Sequence, residues 1–209
     1  VNHFRHAREL TRKDLLKRNL GRYQCLGGRM AAAFTIMPQS FVLPKEYLAF
    51  AEAYGRAEYG ALRRTAQLGA GTVAAAARNI AAAVDAEMMT ERGGASDEEA
   101  RKAPNLWILK PVGMSRGRGI RLVADIGDAR CAGDCIVQRY VANPLLLDGY
   151  KFDLRIYVLV TAFAPLEAFL YREGFARLSS RRFSVDPREL DNLAVHLTNS
   201  SVQRHQAER

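Results

Sequence analysis

The stretch from Trp107 to Ile120, WILKPVGMSRGRGI, sets a lysine at the end of an apolar run and follows it with a loop whose only charges are arginines. Glycines in such a loop let backbone N–H groups approach an anion, and Arg116 or Arg118 can neutralise it. The spacing is neither a Walker loop nor a dinucleotide fingerprint. A phosphate clamp, a plain hairpin turn and an arginine–glycine element that contacts RNA therefore all stay open. Lys110 is more telling. A lysine in a strand of Leu and Ile needs somewhere to put its ammonium, and either a phosphate beside the loop or solvent at the strand end would serve.

Two further groupings carry polar chemistry. In KFDLRIYVLVTAF, Asp153 and Arg155 lie two apart and share one face of a strand, and the returning strand can present Arg177 and Ser179 together. This is either a polar cleft or a solvated face of cross-strand ion pairs worth about 0.2–1 kcal/mol each. HLTNSSVQ at 196–203 collects hydroxyl and amide groups. Thr198 or Asn199 as a helix N-cap explains it without function, and contact with a nucleotide or a metal-bound oxygen explains it equally well. The cysteines Cys25, Cys131 and Cys135 and the histidines His3, His6, His196 and His205 show no zinc-ligand spacing, so the cysteines are expected as reduced thiols.

These groups must be positioned by an α-rich first part and a β-rich second. Leu10, Leu15, Leu16 and Leu20 fall roughly on one face of a short amphipathic helix over 9–22, with Thr11 as its expected N-cap. An extended piece between Pro38 and Pro44 leads to a helix from about Lys45 to Ala57, ending near Gly60. Residues 61–103 are Ala-rich and then polar and acidic, which reads as an insertion or linker. Beyond Pro104 the period changes to that of strands: LWILK, GIRLV, CIVQRYV, one long strand through KFDLRIYVLVTAF, then EAFLYR and FARLSS in an antiparallel meander.

The 209 residues carry 31 Lys and Arg, of which 25 are Arg, against 22 Asp and Glu, a net charge of +9. Arginine's planar fork suits carboxylates and phosphates, so a polyanionic partner is expected. No apolar run approaches the roughly 20 residues that cross a bilayer, and the first residues lack the regions of a signal peptide. The expectation is a cytosolic protein with no membrane partner.

Taken in order, NHFRHARELTRKDLLKRNLGR, LWILKPVGMSRGRGI, CIVQRYVANPLLLDGYKFDLRIYVLVT, YREGFARLSS and LDNLAVHLTNSSVQ resemble the tubulin tyrosine ligase-like family of ATP-grasp ligases, and within it the polyglutamylase-like branch. The resemblance covers about two thirds of the chain and leaves out the Ala-rich region. It implies an α+β ATP-grasp fold, incomplete here, with an antiparallel sheet and flanking helices holding ATP between two subdomains. Residues 1–141 would be the central subdomain, interrupted at about 61–103, and residues 142–209 the C-terminal one, truncated before its metal-binding motif.

The same resemblance implies the roles of individual residues. The loop with Arg116, Gly117, Arg118 and Gly119 becomes a mobile phosphate lid, with Lys110 on the phosphates and Lys13 a second phosphate contact. Gln138, Arg139, Tyr140 and Val141 become the hinge whose backbone meets the adenine edge. Lys151 and Asp153 face the nucleotide and its ribose, Thr198 and Asn199 line the ribose and phosphate side, and His196 lies close by. Arg155 and Arg177 are assigned to the acceptor carboxylate and the acyl-phosphate formed from it. Mg²⁺ is implied beside ATP, yet the family's magnesium carboxylates lie further along than Arg209. The resemblance therefore implies a fragment or incomplete gene product, inactive as it stands, with its metal ligands beyond residue 209.

The implied reaction adds glutamate, taken up free, to glutamate side chains in the acidic C-terminal tails of tubulin, at the cytoskeleton or in a cilium or flagellum. Glycylation is the nearest rival, and a catalytically inactive tail binder the next. An RNA-binding module would use the loop and basic helix with Tyr157 and Tyr171 for stacking. Asp153 and Glu173 beside those rings oppose a phosphate backbone, which argues against nucleic acid.

Overall fold

The computed structural model describes residues 4–68, 104–130 and 133–207, so most of the Ala-rich insertion expected at 61–103 lies outside the described residues. The fold is mixed α+β with antiparallel pairing. It divides into two compact units, one of residues 1–112 and 122–142 and the other of residues 113–121 and 143–209.

The first unit opens with α1 (Arg8–Thr11), α2 (Lys13–Gln24) and α3 (Gly28–Phe34). The single helix expected over 9–22 is broken at Arg12, whose extended ψ of 128° makes it the N-cap of α2. Thr11 does not cap: its hydroxyl donates back to the Ala7 carbonyl at 3.2 Å, inside α1. Arg12 instead grips Asp14 through Nε and Nη2 at 3.0 and 2.8 Å. The break turns Leu10 out to solvent, while Leu20 is buried and Leu15 and Leu16 half-buried.

The sheet of this unit has the order β1–β4–β2–β3. Its strands are β1 (Ser40–Leu43), β2 (Trp107–Pro111), β3 (Arg121–Val123) and β4 (Cys135–Arg139), with β4 antiparallel to both β1 and β2. Alternation sends Leu43, Trp107, Leu109, Cys135 and Val137 to one face. There they pack with Phe50 and Ala53 of α4 (Tyr47–Leu68) into the core. The Phe50 ring meets Trp107 edge-on at 5.1 Å, and neither is exposed. Burying each such side chain contributes about 1.5–3 kcal/mol. The helix expected to stop near Gly60 runs on to Leu68. One interior glycine costs only about 1 kcal/mol against Ala, and the residues after it favour helix.

The second unit contains a three-stranded sheet, β5 (Leu146–Leu147), β6 (Tyr150–Arg155) and β9 (Phe175–Arg182), in that order. It also contains a hairpin of β7 (Val158–Phe163) and β8 (Leu166–Leu170). The long strand expected through KFDLRIYVLVTAF is therefore two strands in different sheets, parted at Ile156 and Tyr157. The meander is nested, since β6 pairs with β9 across the β7–β8 excursion. Two short helices, α5 (Leu193–His196) and α6 (Ser200–Ala207), complete the unit. Its buried apolar side chains, among the described residues, are Ala194, Val195 and Leu197, whereas Leu159 and Phe169 of the hairpin are exposed.

Cys25 is free and exposed. Cys135 is disulfide-bonded, which corrects the expectation of reduced thiols, because ligand spacing tests metal pairing and says nothing of oxidation. Among the described residues no helix is long and apolar enough to cross a membrane.

Candidate functional site

In the first unit the face of the sheet opposite the core carries the polar groups. Lys110 on β2 points to the same side as Gln138 on β4 and Ser40 on β1, because paired residues share a face. Lys110 Nζ donates to Gln138 Oε1 at 2.6 Å, Gln138 Nε2 donates to Ser40 Oγ at 2.8 Å, and Ser40 Oγ donates to the Pro38 carbonyl at 2.7 Å. The lysine is thus aimed by a relay across three strands. Burial lowers its pKa from the ordinary 10.5, and the nearby charge of Lys13 lowers it further. Lys13, at the start of α2, donates to the Pro111 carbonyl at 3.1 Å. Two ammonium groups are thus brought close enough to disfavour one another, an arrangement that a polyanion relieves.

The segment from Gln138 to Val141 closes β4. The Arg139 N–H donates to the Gln39 carbonyl and the Tyr140 N–H to the Leu106 carbonyl, at 2.8 and 2.9 Å. The Arg139 guanidinium donates to Asn105 Oδ1 at 2.5 Å and lies 5.3 Å from the centre of the Trp107 ring. Tyr140 is buried, and that burial pushes its phenol pKa up. Gln138 is paired on both sides within the sheet, and the Arg139 and Tyr140 N–H groups are also committed to the fold, which leaves half-exposed Val141 as the member of the segment outside these pairings.

In the second unit Asp153 and Arg177 are directly opposed across β6 and β9. Arg177 donates to both carboxylate oxygens, through Nε at 2.9 Å and through Nη2. This bond, with lesser help from Thr198 and the charge of Arg155, holds the Asp153 pKa below its ordinary value. Arg155 itself is exposed, and its side chain has no hydrogen-bond partner among the described residues. Lys151 lies 5.6 Å from the Phe183 ring. His196 is buried, with Nε2 donating to the Glu189 carbonyl at 2.9 Å. Its pKa is lowered chiefly by that burial, so it sits neutral at pH 7 as part of the packing.

The loop expected to clamp phosphate is a tight turn. Arg116, Gly117 and Gly119 all have positive φ, of 61°, 79° and 66°. Gly117 is buried against the start of α6, where a Cβ would come within 2.9 Å of Val202 Cγ2 and 3.4 Å of Asn199 Oδ1. Ser201 Oγ donates to the Arg116 carbonyl at 2.7 Å. Arg116 and Arg118 stay exposed on either side of this anchor. Asn199 directly precedes α6, its carbonyl accepting from Val202 and Gln203.

Each unit therefore gathers its own share of the expected residues: Lys13, Lys110 and Gln138 in the first, and Asp153, Arg155, Arg177 and Thr198 in the second, with the loop held against Asn199. Ser40 and Ser201, which orient Gln138 and the loop, were not singled out from sequence, where lone serines carry no pattern. Among the described residues no three of His, Cys, Asp and Glu come together to hold a metal ion.

Comparison with known proteins adds lineage to this geometry. A sequence profile described as the Tubulin-tyrosine ligase family matches residues 1–209. The chain is 36% identical over 204 residues to the tubulin polyglutamylase TTLL5 of Homo sapiens, covering 98% of this chain and 12% of the relative. It is 34% identical over 204 residues to the probable tubulin polyglutamylase TTLL2 of Mus musculus, covering 98% and 30%. It is 35% identical over 224 residues to the probable tubulin polyglutamylase ttll-9 of Caenorhabditis elegans, covering 100% and 42%. The chain thus spans less than half the length of each of these relatives. With its whole described length matched, this chain belongs to the tubulin-tyrosine ligase family.

Proposed function

We propose that the chain is the nucleotide- and acceptor-binding part of an ATP-dependent ligase of ATP-grasp type that adds glutamate to glutamate side chains of tubulin tails. The observation that carries this reading is Lys110, half-buried on the polar sheet face and oriented by Gln138 and Ser40, with Lys13 of α2 reaching the carbonyl of the next residue, Pro111. A triphosphate is complementary in charge to two neighbouring ammonium groups. The names of the relatives support tubulin as acceptor and glutamate as the added residue.

Bound ATP would supply a phosphoryl group that activates the acceptor carboxylate as an acyl-phosphate, leaving ADP, and attack of the amine of free glutamate on the acyl carbon would expel phosphate and form the isopeptide bond. Lys110 and Lys13 would hold the phosphates, and exposed Arg116 and Arg118 would add charge from the anchored loop. Arg155, with its guanidinium uncommitted, is the better placed of the two assigned arginines to receive the acceptor carboxylate. Arg177 is already engaged with Asp153 and would fix that carboxylate toward the ribose with Thr198. Among the described residues no magnesium site forms, since Asp153 is taken by Arg177 and no group of three His, Cys, Asp or Glu side chains comes together.

The test is to incubate the full-length protein with microtubules, Mg-ATP and separately labelled glutamate, glycine and tyrosine. Glutamate incorporation into tubulin is expected. Incorporation of glycine alone would move the assignment to glycylation, and microtubule binding without any incorporation would leave a tail binder.

A further inference from the structure

At the end of β9 away from the Asp153–Arg177 pair, the second unit holds a groove of about 530 Å³ whose rim carries Arg181, Arg182 and Arg188. We propose that this groove is a docking subsite for an acidic, extended peptide, separate from the residues assigned to nucleotide and acceptor. The proposal deepens the reading above and rests on it for the source of the peptide, the carboxylate-rich stretch flanking the modified side chain.

The groove is built by an irregularity in the sheet. Pairing shifts from Phe152 opposite Leu178 to Tyr150 opposite Arg182, so two steps along β6 face four along β9. Such a bulge turns side chains out of the regular alternation. It is pinned in place: the Lys151 N–H donates to Ser179 Oγ at 3.1 Å, and Ser179 Oγ donates to the Arg181 carbonyl at 2.8 Å. Ser179 is buried, so the pin is shielded from water.

The rim charges are not equivalent. Arg188 is held by Asp186 through Nε and Nη2 at 3.0 and 2.7 Å, and Glu189 accepts from Asn192 at 2.9 Å. Arg181 has no ion-pair or side-chain hydrogen-bond partner among the described residues, and Arg182 lies over the Tyr150 ring at 5.5 Å with no carboxylate against it. Two exposed guanidinium groups therefore stand ready for anions, each matched in shape to a carboxylate. Asp186 and Glu189 on the same rim decide what kind of anion. A continuous phosphodiester backbone would be repelled by them, whereas a peptide can set acidic side chains on the arginines and pass neutral backbone beside the acids. The volume falls within the usual range for ligand grooves, about 300–1,000 Å³.

The probe is a fluorescently labelled glutamate decapeptide, titrated into the full-length protein and followed by anisotropy. Arg181→Gln with Arg182→Gln is expected to weaken binding about fivefold or more, the scale of one or two exposed charge contacts. Arg181→Lys with Arg182→Lys keeps the charge and is expected to retain most of the affinity. Arg29→Gln, an exposed charge in the other unit, should change it little. Equal affinity in the double glutamine variant overturns the subsite. So does an equal loss in Arg29→Gln, or tighter binding of a single-stranded RNA that the same double variant abolishes. Nucleotide affinity, measured separately, should be unchanged in the double variant, and a parallel loss would assign these arginines to the nucleotide instead. If the unmodified protein binds the peptide here but takes up no nucleotide, the ligase reading fails while the groove stands.

Discussion

At Lys110, burial and the Lys13 charge both work against the protonated form, and a bound phosphate would reverse that balance. Lys110→Ala is expected to abolish nucleotide binding in calorimetry. In the unaltered protein affinity should fall as pH rises through the lowered Lys110 pKa, at a lower pH than the ordinary 10.5. Affinity that held constant through pH 10.5 would contradict the role. Arg155 and Arg177 should part company. Arg155→Ala is expected to reduce glutamate incorporation by tenfold or more with nucleotide affinity intact, about the effect of one charged contact, whereas Arg177→Ala should impair both, because it frees Asp153. The Asp153 carboxylate, its pKa lowered chiefly by Arg177, contributes stability that is present above 3.8 and lost as pH falls through its folded value. Asp153→Asn should therefore cost about 1 kcal/mol in urea unfolding at pH 7, a figure discounted for partial exposure. That gap should narrow as pH falls below 3.8.

Among the elements, the loop at 113–121 is held by its middle. Gly117→Ala would force φ of 79° on a residue with a Cβ and press that atom into Val202, at a cost of about 1–3 kcal/mol. Faster hydrogen exchange in the loop and at the start of α6, with the first unit unchanged, is the expected readout. The glycines and arginines of this loop were legible in sequence, but its anchor was not, since the Ser201–Arg116 contact joins residues far apart in the chain. The same limit explains the strands. Alternation through KFDLRIYVLVTAF continues past Ile156, so periodicity alone hides the point where β6 ends and β7 takes a new partner. That Asp153 shares a face with Arg155, and Arg177 with Ser179, was readable from two-residue spacing within each strand. That Asp153 and Arg177 meet in a bidentate bond was not, because a one-residue slip would put them on opposite faces and only the register decides. At Thr11 residue type suggested a cap, but the hydroxyl bonded locally within α1, as threonine readily does.

For the molecule as a whole, the single tryptophan gives one unit its own reporter. Trp107 lies in the first unit's core against Phe50. Phe50→Ala should destabilise that core by about 3–5 kcal/mol, moving the fluorescence transition to lower urea. Far-UV circular dichroism should keep a component at the original midpoint, contributed by the second unit. Coincident shifts in both signals would mean that the units unfold as one. The division of the chain has a practical corollary for dissecting it. The backbone passes from one unit to the other at 112, returns at 121 and passes again at 142. A single proteolytic nick can liberate neither piece, and no uninterrupted stretch of the gene encodes either one by itself.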